Sequence, residues 1–172
     1  MHQYITNRLK FRKLTFQDHN SLFKILGDDK TMLFYPAPYN YKEVKQWINR
    51  NMNSYKEHGF GLWALELNKT GEFIGQCGVT YQNIDNAVLP EIGFHIHKNH
   101  QNKGLATEAA KAVIKYAKDN LNFNEIFINT YCENRATQII AEKIGMQKVK
   151  EYDKCMNKND VFWEHYLFQK KL

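Results

Sequence analysis

Residues 101–107, which read Gln-Asn-Lys-Gly-Leu-Ala-Thr, are the feature that most restricts what this chain can fold into. They join an extended stretch, residues 91–97, to a strongly amphipathic helix. A strand that runs through a short loop into a helix leaves several backbone N–H groups unpaired at the positive end of the helix dipole. Such a loop binds anions, and Gly104 lets a ligand approach the backbone where a Cβ would obstruct it. We therefore predict a pyrophosphate site here.

Strand-like and helix-like segments alternate along the rest of the chain. The turn Asn68-Lys69-Thr70-Gly71 predicts an antiparallel hairpin. Hydrophobic periodicity predicts strands near residues 9–14, 61–67, 72–81, 88–97, 126–130, 147–152 and 160–169, and helices that begin near Asp18, before Val44, at Leu105 and after Asn134. This order favours a mixed sheet covered by helices on both faces, with a strand, crossover helix and parallel strand at its centre.

Length and composition narrow the class of protein. At 172 residues, with 43% hydrophobic and 24% charged side chains, the chain is expected to form a single soluble domain over residues 1–172. Without a signal peptide or a long apolar run, a cytoplasmic location without membrane attachment is the default expectation. The net charge of +6 comes mostly from dispersed lysines, which disfavours nucleic-acid binding. Oligomeric state stays open, with a homodimer as the commonest assembly.

The spacing of the loop excludes the two commonest phosphate motifs, GxxxxGK[ST] and GxGxxG. The Gln-x-x-Gly-x-Ala pattern, after a strand that begins Glu-Ile-Gly-Phe at Glu91, resembles the acetyl-coenzyme A loop of the GNAT N-acetyltransferase superfamily. The resemblance continues in order through residues 133–137 and 142–146. It implies an α/β (α+β) fold with a central, mixed, mostly antiparallel seven-stranded sheet, helices on both faces, and a splayed pair of central parallel strands.

The resemblance also assigns residues to acetyl-CoA, which would be the cosubstrate, with no metal required. Phe94, Ile96 and His97 are expected to contact the pantetheine arm, and a main-chain N–H near Phe94 or His95 is expected to polarise the thioester carbonyl. The pyrophosphate would be held by Gln101, Asn102, Lys103, Gly104, Leu105, Ala106 and Thr107. Asn134 would hydrogen-bond the cofactor with Thr137 nearby; the alternative is that Asn134 is only a helix N-cap.

Glu91 is the candidate general base. It shares one face of its strand with Gly93, His95 and His97, and Gly93 leaves room for a substrate. An ordinary glutamate titrates near 4.3, so this role requires either burial that raises the pKa or a water that relays the proton. The alternative is a salt-bridged or solvent-facing strand end. Histidines 95, 97 and 100 lack acidic or cysteine partners at useful spacing, which disfavours a metal site.

The chain departs from a common family pattern at Ala141, where many members carry a tyrosine that protonates the departing thiolate. Together with the Glu-Ile-Gly-Phe strand, this absence resembles the ribosomal-protein alanine N-acetyltransferase (RimJ/RimL-like) branch. The resemblance implies acetyl transfer to a primary amine, with a protein N-terminal α-amine as the first choice of acceptor. A small amine, such as a polyamine or an aminoglycoside, is the alternative, and a non-catalytic acyl-CoA sensor is a third interpretation.

Overall fold

The computed structural model describes residues 4–84, 86–156 and 161–172. Strands and helices alternate along these ranges, and short 3-10 turns precede the first and third helices. In chain order the elements are β1 (Tyr4–Ile5), β2 (Leu9–Lys13), α1 (His19–Leu26), α2 (Tyr41–Glu57), β3 (Leu62–Leu67), β4 (Phe73–Ile84), β5 (Ala87–Ile96), α3 (Leu105–Leu121), β6 (Glu125–Tyr131), α4 (Arg135–Lys143), β7 (Gln147–Cys155) and β8 (Phe162–Lys171). The predicted start of the last strand, at residue 160, lies outside the described residues.

The strands form one mixed sheet in the order β1-β2-β3-β4-β5-β6-β8-β7. Only β5 and β6 pair in parallel among the described strands, and α3 makes the crossover between them. The predicted fold class is thus confirmed, although the sheet has eight strands where seven were expected. The additional strand, β1, has two residues that pair with β2, and so short a strand leaves no alternating pattern to detect in the sequence.

Helices cover both faces of the sheet, as the alternation of apolar residues along the strands requires. Trp63 and Leu65 of β3 point to the face where α3 packs, whereas Ala64 points to the face covered by α1 and α2. The α3 face holds the larger core, with Val113 and Tyr116 among its buried residues. The opposite face is less filled, because α1 and α2 cover only part of it, and this leaves room beside β5.

The parallel strands β5 and β6 diverge from one another, and we call the gap between them the fork. A single register pair joins the two strands in the described chain, Glu91 with Phe127. Beyond it, the N–H of His97 donates to the Ile74 oxygen in β4 at 2.8 Å. Because backbone groups alternate in direction along a strand, the N–H and C=O groups of Phe94 and Ile96 therefore point away from β4, into the fork.

Helix α2 is fastened to the first residue of β3 by a buried asparagine. Asn51 is 5% exposed, and its Oδ1 accepts the Leu62 backbone N–H at 2.8 Å while its Nδ2 donates to the Trp47 oxygen at 3.0 Å. The Tyr55 hydroxyl donates to the Leu62 oxygen nearby. These bonds satisfy backbone groups of Leu62 that would otherwise be buried without partners.

Replacing Asn51 by alanine should lower the free energy of unfolding by about 1–3 kcal/mol, because the Leu62 N–H loses its partner in a buried position. Asn53, in the same helix but exposed, is the matched control, and Asn53→Ala should change stability by no more than about 0.5 kcal/mol. Urea denaturation of the two variants measures both values. Equal stabilities would show that the Asn51 bond contributes nothing net.

Candidate active site

The loop that precedes α3 has the backbone geometry of an anion site. Asn102 and Gly104 both adopt left-handed conformations, with φ of 59° and 74°. The first helical hydrogen bond runs from the Glu108 N–H to the Gly104 oxygen at 3.0 Å. The N–H groups of residues 105–107 therefore precede the helical ladder and remain available to a ligand at the positive end of the helix dipole.

An arginine near the N-terminus holds this loop in place. The Arg8 Nε lies 2.6 Å from a carboxylate oxygen of Glu108, and its Nη1 donates to the Lys103 oxygen at 2.8 Å. The Thr6 hydroxyl also donates to Glu108 at 2.6 Å. Burial opposes the charge on Glu108, but these hydrogen bonds outweigh it and lower the pKa of its carboxyl. We call this arrangement the Arg8 clasp.

A cavity of about 590 Å³, here called the loop cavity, opens beside the loop. Ten of the twelve predicted cofactor residues line it: Phe94, Ile96, Gln101, Asn102, Gly104, Leu105, Ala106, Thr107, Asn134 and Thr137. Lys30 and Lys143 also line it and supply positive charge. The Gln101 side chain donates to the Ile96 oxygen at 2.9 Å and so caps a backbone group that points into the fork.

His97 and Lys103, the other two predicted cofactor residues, are not among the residues that line the loop cavity. The His97 ring accepts a hydrogen bond from the Asn99 N–H at 3.3 Å, and the backbone N–H of His97 donates to β4. The Lys103 ammonium donates to the Asn99 oxygen at 2.8 Å. Both side chains thus stabilise the 3-10 turn before the loop, which residue type and spacing alone do not indicate.

A second cavity of about 550 Å³, here called the strand cavity, lies on the α1–α2 face of the sheet. Glu91, Gly93 and His95 of β5 line its floor. Its other walls come from residues 35–39, here called the proline-rich loop, from α2 and β4, and from β6, β7 and β8. The side chains of these walls include Tyr35, Tyr39, Trp47, Thr80, Gln82, Asn129, Tyr131, Lys154 and His165. The wall is therefore mainly aromatic, with few charges.

The two cavities meet at the fork between β5 and β6. Six residues line both: Phe34, Tyr35, Phe94, His95, Asn134 and Thr137. A molecule held along the loop cavity can therefore meet a molecule in the strand cavity without crossing the sheet. This connection is the property that a group-transfer reaction between two substrates requires.

Glu91 faces the strand cavity next to the fork. Burial raises the pKa of its carboxyl to about 7, against the opposing effects of the Lys154 charge and a hydrogen bond from the Asn129 backbone. A carboxylate with this pKa is half ionised at neutral pH and accepts a proton far better than an ordinary glutamate. Glu91, the candidate base from the sequence, therefore lies in the strand cavity with a raised pKa.

Two buried histidines stand in the same cavity wall, and both are neutral. Burial lowers the pKa of His95 to about 4, and burial together with the Lys154 charge lowers the pKa of His165 to about 4. His165 contacts Asn129 through Nδ1 at 3.1 Å, but its buried Nε2 has no partner within the described chain. A buried polar atom of this kind indicates a site that a bound water or substrate completes.

Asn134 caps α4 and also lines both cavities. Its Oδ1 accepts the Thr137 N–H at 3.2 Å and so caps α4. Its Nδ2 has no partner in the described residues, and the side chain lines both cavities. The cap therefore fixes the orientation of the amide without using its donor.

The sequence alone did not assign a role at this site to four residues: Arg8, Tyr35, Trp47 and Gln76. Their side chains reach the site from distant parts of the chain, and only the cluster of tyrosines and prolines before α2 gave any signal.

Among the described residues, no group of three or more His, Cys, Asp and Glu is placed to hold a metal ion. No helix in the described ranges is both long and apolar enough to span a bilayer.

The sequence profile of the acetyltransferase (GNAT) domain matches residues 8–147. The chain belongs to the GNAT family. The Bacillus subtilis protein YkkB, described as uncharacterized, is 34% identical over 147 residues, which cover 85% of this chain and 86% of YkkB. This family of N-acetyltransferases accounts for the two joined cavities, and the chain is an acetyltransferase.

Solved structures show the same fold. A GNAT-family acetyltransferase from Bacillus anthracis superposes with a TM-score of 0.82 at 23% identity, covering 98% of each chain. RimL, a ribosomal L7/L12 alpha-N-protein acetyltransferase in complex with coenzyme A, superposes with a TM-score of 0.78 at 12% identity, covering 98% of this chain and 97% of RimL. Coenzyme A is thus a ligand of a protein with this fold.

Glu91→Gln should stabilise the protein at high pH only. The folded pKa of about 7 exceeds the unfolded value of about 4.3, so below about pH 4 the carboxyl is protonated in both states and carries no cost. Above about pH 7 it is ionised in both states and the folded state bears the burial cost, at most about 4 kcal/mol and less where water in the cavity solvates the carboxylate.

Thermal unfolding of wild type and Glu91→Gln at about pH 4 and about pH 8.5 measures this difference. The melting temperature of the variant should exceed that of wild type at the higher pH alone. Glu57→Gln, at a carboxylate that is 68% exposed at the end of α2, is the control and should give no gain at either pH. A Glu91→Gln gain that is equal at both pH values would contradict the raised pKa.

Proposed function

We propose that the protein transfers the acetyl group of acetyl-CoA to a primary amine, and that the amine is the α-amine of a protein N-terminus. The single observation that carries this proposal is the junction of the two cavities: one is built around an anion-binding loop, and the other contains a carboxylate whose pKa is about 7. Acetyl transfer needs both parts within reach of one another.

The loop cavity fits the diphosphate and the pantetheine arm of the cofactor. Gly104 has a φ of 74°, a conformation that side chains rarely adopt, and a Cβ there would lie at ordinary contact distance, 3.5 Å, from the Arg8 guanidinium. The N–H groups of residues 105–107, with Lys30 and Lys143 at the rim, would bind the phosphates. Ile96 and Phe94, with Asn134, would then contact the arm inside the fork.

The thioester carbonyl would accept a hydrogen bond from the Phe94 backbone N–H, which points into the fork. Charge grows on the carbonyl oxygen as the amine attacks, and a donor fixed by the sheet stabilises that charge without having to reorganise. The neighbouring His95 N–H points to β4 instead. Of the two donors that the sequence suggested, the alternation of the strand therefore favours Phe94.

Glu91 would take the proton of the attacking amine, directly or through a water. A base with a pKa of about 7 matches a peptide α-amine, whose pKa is about 7.7 to 8.0. A lysine amine, with a pKa of about 10.4, would cost roughly 3 kcal/mol more to neutralise near pH 7. The wall of the strand cavity offers Glu91 and Glu43 against Lys154, which provides little charge for a polyamine.

The similarity to RimL supports a protein N-terminus as the acceptor, since the description of that protein names alpha-N acetylation of a ribosomal protein. Membership of the RimJ/RimL-like branch, suggested by Ala141 and the strand sequence at Glu91, is part of the same proposal. An activity assay, and not similarity to other proteins, distinguishes a small-amine acceptor from a protein N-terminus. Aminoglycosides and polyamines are therefore included in the test.

The wild-type protein should release coenzyme A thiol from acetyl-CoA when peptides with a free N-terminal α-amine are supplied, and much less with polyamines, aminoglycosides or N-blocked lysine peptides. The rate of release should rise with pH through about 7, as Glu91 ionises. A thiol-reactive dye follows the reaction, and mass spectrometry locates the acetyl group. Release with small amines alone would transfer the proposal to the alternative acceptor class.

Glu91→Gln is the matched variant for this assay. The amide keeps the shape of the side chain but cannot accept a proton, so the rate above about pH 7 should fall by about 100-fold or more while acetyl-CoA affinity is retained. An unchanged rate would remove Glu91 from the reaction without touching the placement of the cofactor.

Gly104→Glu should weaken acetyl-CoA binding by at least about 100-fold, because bulk and negative charge enter the cradle. Gly71→Glu is the control, since Gly71 has a nearly equal φ of 71° and open space around it in the β3–β4 turn. Both variants carry the same backbone strain, so only the position differs. Calorimetry that gives equal affinities for the two would place the pyrophosphate elsewhere.

A further inference from the structure

Tyr35 lies at the junction of the two cavities and is held there by one hydrogen bond. It follows α1 in the proline-rich loop and lines both the loop cavity and the strand cavity. Its hydroxyl contacts the His95 Nε2 at 2.9 Å, and the two rings lie with centroids 5.5 Å apart. About 37% of its surface is exposed, so the ring is fixed on one side and open on the other.

The direction of this hydrogen bond is set by a chain of three residues behind it. The Trp47 indole N–H, which can only donate, bonds the Gln76 Oε1 at 3.1 Å. The oxygen of Gln76 must therefore face Trp47, and its NH₂ group must face His95. The Gln76 Nε2 lies 3.1 Å from the His95 Nδ1 and donates to it. Gln76 is fully buried, so water does not compete.

The protons on His95 and Tyr35 follow from this direction. Because Nδ1 accepts, the neutral ring carries its proton on Nε2 and donates it to the Tyr35 oxygen. Burial lowers the pKa of His95 to about 4, which agrees with a neutral ring. The hydroxyl proton of Tyr35 is thus not used toward His95, and it has no acceptor among the described residues. A fixed, unused donor stands where the two cavities meet.

The reaction under the proposed function develops negative charge at two atoms. The C–N bond forms as the amine proton passes to Glu91, and charge appears first on the carbonyl oxygen, which faces the Phe94 N–H. The C–S bond then breaks and its electron pair goes to the sulfur of coenzyme A. Ala141, where many family members carry a tyrosine, is fully buried and offers only a methyl group. Position 141 therefore supplies no donor to the sulfur.

We propose that Tyr35 donates its hydroxyl hydrogen bond to the departing sulfur of coenzyme A, and that the Trp47–Gln76–His95 chain positions it for this purpose. The inference rests on the proposed acetyl transfer, since only that reaction places a thioester at the junction. It makes Tyr35 a catalytic residue and the three residues behind it positioning residues.

Tyr35 stabilises the thiolate without giving up its proton. Burial, and secondarily the Glu91 charge, raises the pKa of its phenol above the usual value of about 10. A thiol titrates near 8.5, so full proton transfer from the phenol to the thiolate would be uphill. Coenzyme A leaves as the hydrogen-bonded anion.

The test is Tyr35→Phe, which removes the hydroxyl and keeps the ring. The value of kcat should fall by about 10- to 100-fold, the usual effect of one hydrogen bond to a charge that develops in the transition state. The calorimetric Kd of acetyl-CoA should change by less than about threefold, since the thioester sulfur carries no charge before the reaction. Tyr41→Phe is the control: Tyr41 is 53% exposed and donates to Asn20, away from both cavities.

A second measurement reports the sulfur contact itself. The affinity of free coenzyme A is measured between about pH 6 and pH 10, across the thiol pKa of about 8.5. Wild type should bind the thiolate more tightly than the thiol, and Tyr35→Phe should lose that preference. Desulfo-coenzyme A, which lacks the sulfur, should bind both proteins equally at every pH.

Three results would decide against the inference or separate it from the proposed function. Unchanged kcat in Tyr35→Phe would overturn it. A fall in kcat with no change in the thiolate preference would place the hydroxyl on the carbonyl oxygen, which also overturns the assignment to sulfur. If wild type releases no thiol with any amine but Tyr35→Phe abolishes the thiolate preference, the acetyl-transfer proposal fails while the sulfur contact stands.

Discussion

The site depends on the failure of two neighbouring strands to stay paired. β5 and β6 share one register pair at Glu91 and Phe127 and then diverge, so the backbone of Phe94 keeps its donor and acceptor unused in the interior. A buried backbone group without a partner costs about 1–3 kcal/mol, which a ligand lying in the fork recovers. The same divergence opens a passage between the loop cavity and the strand cavity. Under the proposed function, cofactor recognition and access to the acceptor therefore have one structural cause.

Charge is divided between the two ends of this passage. The loop before α3 presents N–H groups and a helix dipole, with Lys30 and Lys143 at the cavity rim, whereas the strand cavity contains Glu91 among aromatic rings and neutral histidines. The low polarity that raises the pKa of Glu91 also keeps His95 uncharged. The hydrogen-bond chain through His95 keeps the single direction that the Trp47 indole N–H sets. The folded state bears a cost in stability for this arrangement.

Sequence periodicity was sufficient to predict the long elements of the fold, because each of them carries its own pattern: α3 shows its apolar stripe and β6 its alternation. The Gln-x-x-Gly-x-Ala loop indicated where the loop cavity lies for the same reason, since its information is local. The position of the Tyr35 side chain could not be predicted, because its bond to His95 joins residues 60 positions apart and depends on how the proline-rich loop folds back. His97 lies close to the loop in sequence and Lys103 lies within it, yet neither side chain lines the loop cavity.

The Arg8 clasp ties an early part of the chain to a late one. Arg8 and Glu108 are 100 residues apart, so at usual translation rates Glu108 is synthesised about 5 to 20 s after Arg8. The cradle cannot reach its final shape before α3 has left the ribosome and docked. Under the proposed function, cofactor affinity is therefore acquired late in biogenesis, and a chain interrupted before α3 would have the aromatic residues of the proline-rich loop without the loop proposed to bind the acyl donor.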